Sequence, residues 1–131
     1  MNAFEKIVAP IVDQFKPELI AVSAGQDPNF FDPLARMMVT ADGFRRFAQF
    51  MKDLAEKNCD GRIALCHEGG YSAAYVPFCS LTIVEALSGI KTNVEDPFME
   101  GFGPPVETLF PHEEEAVRKV IEQQSKYWQF E

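Results

Sequence analysis

Two short loops of the sequence carry side chains that could bind a ligand or assist a reaction. Asp27 closes the first loop, Ser23–Asp27, and Tyr71 closes the second, Glu68–Tyr71. A carboxylate can coordinate a metal cation, and a phenol can donate a hydrogen bond to a developing negative charge. Neither loop has the spacing of a phosphate-binding or dinucleotide-binding loop. Each loop is therefore a weak signal when it is considered alone.

Each loop follows a predicted strand. Leu19–Ala24 and Arg62–His67 are short continuous apolar runs, which are typical of parallel strands buried on both faces. In open parallel sheets, ligands bind at the C-terminal ends of the strands, where both loops would lie. Gly25–Met38 lacks periodicity and contains two Asp-Pro turn pairs, so it is predicted to be a long loop of the kind that is often functional.

Helical spacing of apolar residues predicts four helices around these strands. They cover Phe4–Phe15, a stretch from the N-cap Thr40 to about Ala55, a stretch from about Ser72 to Leu87, and roughly His112–Trp128. Asn93–Pro111 is predicted to be irregular. The resulting order of elements indicates a parallel sheet with right-handed crossovers.

The expected architecture is a single α/β domain over residues 1–131, with three layers and a short parallel sheet that has helices on both faces. Two parallel strands are too few for an independent sheet of this type. An uncovered strand edge or apolar face recruits a partner. The sequence therefore predicts a homo-oligomer.

Charge and cysteine content narrow the possible partners and location. The formal net charge is −8, from 20 acidic and 12 basic residues, and no large cluster of Lys and Arg occurs. Nucleic acid and anionic membranes are therefore not expected as partners. The sequence also shows no signal peptide and no membrane span. Three cysteines without Cys-x-x-Cys spacing indicate a reducing, cytoplasmic context, and Cys66 and Cys79 are expected in the core.

Taken together, in this order and spacing, the motifs resemble those of zinc-dependent histone deacetylase-like amidohydrolases, and most closely those of bacterial members similar to class II enzymes. The resemblance covers residues 1–97 and corresponds to the C-terminal part of that family's catalytic domain. It implies a truncated version of the deacetylase fold. Residues 98–131 are left as an irregular loop plus a C-terminal helix. The segments that carry the resemblance are Ser23–Asp27, Asp32–Met37, His67–Ser72 and Ala74–Cys79.

The resemblance implies roles for the residues of the two loops. Asp27 occupies the position of one of three protein ligands to a catalytic zinc. Tyr71 occupies the position of the residue that donates a hydrogen bond to the oxyanion formed when water attacks the amide. The residues expected to shape the two loops are Gly25, Asp32, Gly69 and Gly70.

The departures from the family pattern are substantial. The Asp-x-His motif that supplies the family's other metal ligands and the catalytic His-His pair are not found in this sequence. Its two histidines are His67, expected to be structural, and His112, expected to be solvated. Gln26 and Pro28 also replace residue types that the family usually has. A single carboxylate does not make a zinc site, so we expect neither bound zinc nor deacetylase activity in the isolated chain.

Three functional hypotheses remain open at this stage. The chain could be a C-terminal piece of a deacetylase-like amidohydrolase that is inactive alone and self-associates. It could be a subunit of a split deacetylase that a complementary chain completes. It could also be a non-catalytic binding or scaffold module that reuses the fold. Retention of Asp27 and Tyr71 favours the first two hypotheses, and Gln26 together with the tail that runs to Glu131 favours the third.

Overall fold

The computed structural model describes residues 1–35, 37–99 and 108–130. Arg36, which belongs to one resembling motif, and residues 100–107 of the predicted irregular segment lie outside the described residues. The described part forms two compact units. One unit spans residues 18–99 and contains both candidate loops. The other combines residues 1–17 with 108–130.

The order of elements matches the predicted order. A π-helical stretch, Phe4–Val8, continues directly into the first α-helix. The remaining elements alternate as expected through the second strand. In chain order they are α1 (Ala9–Phe15), β1 (Ile20–Ala24), α2 (Ala41–Cys59), β2 (Ile63–His67), α3 (Val76–Ser88) and α4 (Pro111–Gln124).

The π-helical stretch lies just before Pro10. Proline has no backbone N–H to donate to the preceding turn, and its ring crowds that turn. The Ala9 N–H donates to the Phe4 carbonyl five residues earlier, which is the spacing of a π-helix. The chain therefore accommodates Pro10 by widening the turn before it.

Three helix boundaries differ from the predicted ones. The second helix runs to Cys59, beyond its predicted end near Ala55. The helix predicted from about Ser72 begins at Val76, because the Ser72 carbonyl accepts hydrogen bonds from both the Tyr75 N–H and the Val76 N–H and closes a turn there. The last helix ends at Gln124 instead of near Trp128, and a turn follows it. The Thr40 N-cap is confirmed, since its hydroxyl oxygen accepts from the Gly43 N–H at 3.2 Å.

The two strands pair in parallel, and α2 forms the crossover between them. The register runs from Ile20 opposite Ile63 to Ala24 opposite His67. Both strands therefore end at the same level, and the loops that follow them leave the sheet side by side. The predicted α/β class with a short parallel sheet is confirmed.

The sheet is buried unequally on its two faces. The core lies between α2 and α3, and Leu65 of β2 packs against it. Alternate residues on the opposite face are exposed, namely Ala21, Ser23, Ala64 and Cys66. The prediction that both faces of the strands are buried is therefore wrong for this chain. Cys66 was also expected in the core and is exposed, whereas Cys79 is buried as predicted.

Tyr75 joins three segments of the unit. Its side chain is 1% exposed, and its ring packs edge-on against the rings of Phe31 and Phe98. Its hydroxyl accepts a hydrogen bond from the Ala41 N–H at 3.0 Å and donates one to Asp96 at 2.7 Å. Burial, together with the neighbouring carboxylate, raises the pKa of the Tyr75 phenol. The phenol is therefore a neutral structural link.

A buried carboxylate fixes the segment after α3. Glu85 accepts hydrogen bonds from the hydroxyl and the N–H of Thr92, at 2.5 and 2.6 Å, and pairs with Arg45 of α2 at 2.5 Å. These partners, the Thr92 groups above all, lower the pKa of Glu85 to about 2. Residues 90–92 are thereby held against α2 and α3.

We predict that Tyr75→Phe lowers the free energy of unfolding by about 1–3 kcal/mol, because it leaves the buried Ala41 N–H without its acceptor and removes a donor from Asp96. Urea denaturation followed by circular dichroism measures this change. Tyr127→Phe is the matched control: this tyrosine is 76% exposed, so its substitution should change stability by less than about 0.5 kcal/mol. Equal stabilities of the two variants would contradict the structural role of the Tyr75 hydroxyl.

Candidate functional site

The two candidate loops contact each other through their backbones. The Gln26 N–H donates to the Gly69 carbonyl at 2.6 Å. The Asp27 carboxylate lies against the glycines of both loops: a Cβ built on Gly69 would lie 2.5 Å from Asp27 Oδ1, and one built on Gly25 would lie 2.7 Å from it. Side chains at these two positions would displace the carboxylate. The structure thus brings Asp27 and the Glu-Gly-Gly-Tyr loop together.

Gly70 sets the direction of the chain just before Tyr71. Its φ is +138°, a conformation that residues with a Cβ rarely adopt. A Cβ there would also lie 3.0 Å from Val76 Cγ2 and 3.1 Å from Gln26 Cβ. Tyr71 follows with a side chain that is 59% exposed. Position 70 therefore requires glycine for both conformational and steric reasons.

Asp32 connects the long first loop to Tyr71. Its Oδ2 accepts from the Tyr71 N–H at 2.8 Å, and its Oδ1 accepts from the N–H groups of Leu34 and Ala35 at 2.9 and 3.2 Å. Desolvation raises the pKa of Asp32, but the three backbone hydrogen bonds outweigh it and hold the pKa below its ordinary value. Asp32 is therefore a charged acceptor that shapes the loops.

Two buried polar residues organise the first loop, and sequence reasoning gave neither a structural role. Gln26 is 3% exposed, and its side-chain carbonyl accepts from the Ser80 hydroxyl at 2.8 Å. Asn29 is fully buried; its amide donates to the Gln26 carbonyl at 2.6 Å, and its side-chain oxygen accepts from the Phe31 N–H. Gln26 departs from the residue type that the family usually has, and Ser80 of α3 supplies a hydrogen bond to its buried side-chain oxygen. The sequence does contain a signal for the role of Asn29, because asparagine side chains commonly form hydrogen bonds to the nearby backbone in turns.

The residues present do not fit a zinc ion. Within residues 1–35, 37–99 and 108–130 there is no group of three or more His, Cys, Asp or Glu side chains placed to hold a metal. His67 is exposed at the end of β2, and His112 is exposed in the first turn of α4, stacked on Phe110. Asp27 alone is insufficient, because a catalytic zinc needs three protein ligands.

A cavity in the other unit is separate from the candidate residues. Its volume is about 1030 Å³, and it is lined by residues of the first and last helices and of the C-terminal segment, Pro10, Val117 and Phe130 among them. It contains none of the residues of the two loops. In addition, no helix in the part of the chain that the structure describes is long and apolar enough to cross a membrane.

Comparison with known proteins agrees with the motifs. The family model of the histone deacetylase domain matches residues 1–87. This chain belongs to the histone deacetylase family. It is 47% identical over 100 residues to the histone deacetylase-like amidohydrolase of Pseudomonas aeruginosa and 36% identical over 137 residues to a probable deacetylase of Archaeoglobus fulgidus. The predicted resemblance to deacetylase-like amidohydrolases is thereby confirmed.

The deacetylase fold is shared with solved structures as well. The HD domain of HDA15 superposes with a TM-score of 0.77 at 27% sequence identity, over 96% of this chain and 30% of that chain. The matches to the sequence relatives show the same difference in coverage between this chain and the longer protein. The matches cover 76% and 98% of this chain but 26% and 37% of the bacterial and archaeal deacetylases. The chain therefore spans well under half the length of these deacetylases.

We predict that Gly70→Ala destabilises the chain by about 1–3 kcal/mol, because alanine is strained at this backbone conformation and its Cβ crowds Val76 and Gln26. Gly89→Ala is the matched control: Gly89 also has a positive φ, but no atom lies within 4 Å of its Cβ position. Urea denaturation should show a larger loss for Gly70→Ala. A larger loss for Gly89→Ala would contradict the close approach of the two loops at Gly70.

Proposed function

We propose that this chain acts as the C-terminal segment of a deacetylase-like amidohydrolase, to whose site it contributes Asp27 and Tyr71, and that it does not hydrolyse acetyl-lysine amides by itself. The meeting of the two loops supports this proposal. Backbone hydrogen bonds and closely approached glycines hold the carboxylate loop beside the phenol loop. In this proposal Asp27 is one metal ligand and Tyr71 is the oxyanion donor, as the family resemblance implies.

The inactivity of the chain alone follows from its shortage of metal donors. In the described residues, no group of three or more His, Cys, Asp or Glu side chains is placed to hold a metal, and a catalytic zinc needs three protein ligands. The family's zinc would need donors from outside the described residues. A general base would have to come from another segment, because no His-His pair occurs in the sequence.

We expect no hydrolysis of an acetyl-lysine peptide by the purified chain with added zinc. Co-expression with a deacetylase segment that carries Asp-x-His and His-His should give turnover. Asp27→Asn and Tyr71→Phe should each abolish that turnover, because they remove a ligand and an oxyanion donor, and Tyr127→Phe should preserve it. Turnover by the chain alone, or turnover that survives both site substitutions, would contradict the proposal.

We further propose that the chain self-associates through its open sheet face. Parallel sheets are covered on both faces in almost all proteins, yet Ala21, Ser23, Ala64 and Cys66 are exposed here. A second copy that covers this face would remove small apolar side chains from water. The complementary segment of a split deacetylase is the second candidate occupant, favoured by the preserved geometry of the two loops.

Light scattering coupled to size-exclusion chromatography should show a homo-oligomer at micromolar concentration. Ala64→Arg should shift the chain to monomer, because it places a charge in the middle of the open face. Ala116→Arg, an exposed position on α4, is the matched control and should leave the oligomer intact. A monodisperse monomer of the unmodified chain would exclude self-association and leave the split enzyme or a binding module.

We also infer a cytoplasmic location. The support is chemical: Cys59, Cys66 and Cys79 are all free thiols, and Cys66 is exposed. Exposed thiols persist in reducing compartments.

A further inference from the structure

Tyr71 is held by its backbone more than by its ring. The ring is 59% exposed, so packing restrains it weakly. The backbone is fixed on both sides of Gly70: the Gly69 carbonyl accepts from the Gln26 N–H, and the Tyr71 N–H donates to Asp32 Oδ2. One glycine lies between these two anchors. The direction in which the Tyr71 side chain leaves the backbone therefore depends on what the two anchors are attached to.

Both anchors belong to the segment from Gln26 to Asp32 of the first loop, which is held together by its own hydrogen bonds. The Asp32 N–H donates to the Asn29 carbonyl at 3.1 Å, and the Asn29 N–H and amide both donate to the Gln26 carbonyl. Gln26 is the residue whose own N–H reaches Gly69. These hydrogen bonds, together with the covalent chain from Gly69 to Tyr71, thus form a closed circuit from Gln26 through Gly69, Tyr71, Asp32 and Asn29 back to Gln26.

Asp32 is the only side chain in this circuit that bonds directly to the Tyr71 backbone among the described contacts. Its other oxygen is held by Leu34 and Ala35, which leaves Oδ2 aimed at position 71. A charged acceptor forms stronger hydrogen bonds than a neutral one. We propose that Asp32 is a positioning residue that fixes the direction of the Tyr71 phenol relative to the Asp27 loop.

This proposal rests on the proposed function for its catalytic meaning, but its first test does not. Amide hydrogen exchange and the ¹⁹F signal of fluorotyrosine at position 71 are measured in the full, uncomplemented chain. In Asp32→Ala we expect the Tyr71 amide to exchange on the order of tenfold faster and its ring signal to narrow. In Asp32→Asn, which keeps a neutral acceptor oxygen, the effect should be smaller.

A purely local role of Asp32 in its own turn would change the Leu34 and Ala35 amides and leave the Tyr71 signals unchanged, which would overturn the proposal. Asp53→Ala is the matched control, because this exposed carboxylate accepts a side-chain bond from Gln49 on α2 and should leave Tyr71 unaffected. Should Asp32→Ala fail to fold, a coupling across the hydrogen bond between the Tyr71 nitrogen and Asp32 Cγ in the unmodified chain decides. Detection supports the proposal, and absence overturns it.

The catalytic consequence is tested in the complemented enzyme. Asp32→Asn should lower kcat by about tenfold and leave KM unchanged, because the phenol acts on the developing oxyanion and not on bound substrate. An unchanged kcat would overturn the catalytic meaning of the positioning. If complementation gives no turnover, the proposed function fails, while the exchange and ¹⁹F data still determine whether Asp32 positions Tyr71.

Discussion

The contact on which the rest of the site depends is the approach of the Gly69 backbone to Gln26 and Asp27. It is possible because β1 and β2 pair in parallel and end at the same level, Ala24 opposite His67. It also requires that position 69 carry no Cβ, since the Asp27 carboxylate occupies that space. Two elementary constraints, strand register and backbone clearance, therefore determine that the Asp27 carboxylate lies against the loop that carries Tyr71.

The helices, the strands and the family can be predicted from the sequence because each is indicated by a local pattern of residues. Apolar runs indicated both strands to within one residue, and helical periodicity indicated all four helices. The loop motifs were recognisable because glycine, aspartate and tyrosine occur in a fixed order and spacing. The beginning of α3 was less accessible, since the turn at Ser72 depends on which N–H groups reach one carbonyl.

Burial was harder to predict than secondary structure. An apolar run does not reveal whether its second face is covered, so Cys66 was placed in the core and is exposed. The reverse holds for Gln26 and Asn29, which are polar and almost completely buried because hydrogen bonds from α3 and the loop backbone satisfy them. The partner of Gln26 lies 54 residues away along the chain, those of Asn29 lie in its own loop, and apolar periodicity carries no information about either.

The chain belongs to the deacetylase family, but its described residues do not provide the set of metal ligands that the family's zinc would need. The fold and both loops are those of the family, whereas the side chains around Asp27 fall short of a zinc site in the described residues. The fold and the loop geometry are thus present in the described residues without a complete set of metal ligands. Backbone contacts bring the two loops together, but no group of three metal-donor side chains placed to hold an ion occurs among the described residues.

The residues that join the two loops are far apart in the sequence, and this affects how the molecule folds. Asp32 and Tyr71 are 39 residues apart, and Gln26 and Ser80 are 54 apart. Contacts between residues this far apart require the closure of a long loop, so they are slower to form than the local contacts within a helix. On the ribosome, the first loop emerges well before its partners, and its polar groups stay hydrated during that interval. The site is therefore completed only once the second loop and the first half of α3 have been synthesised.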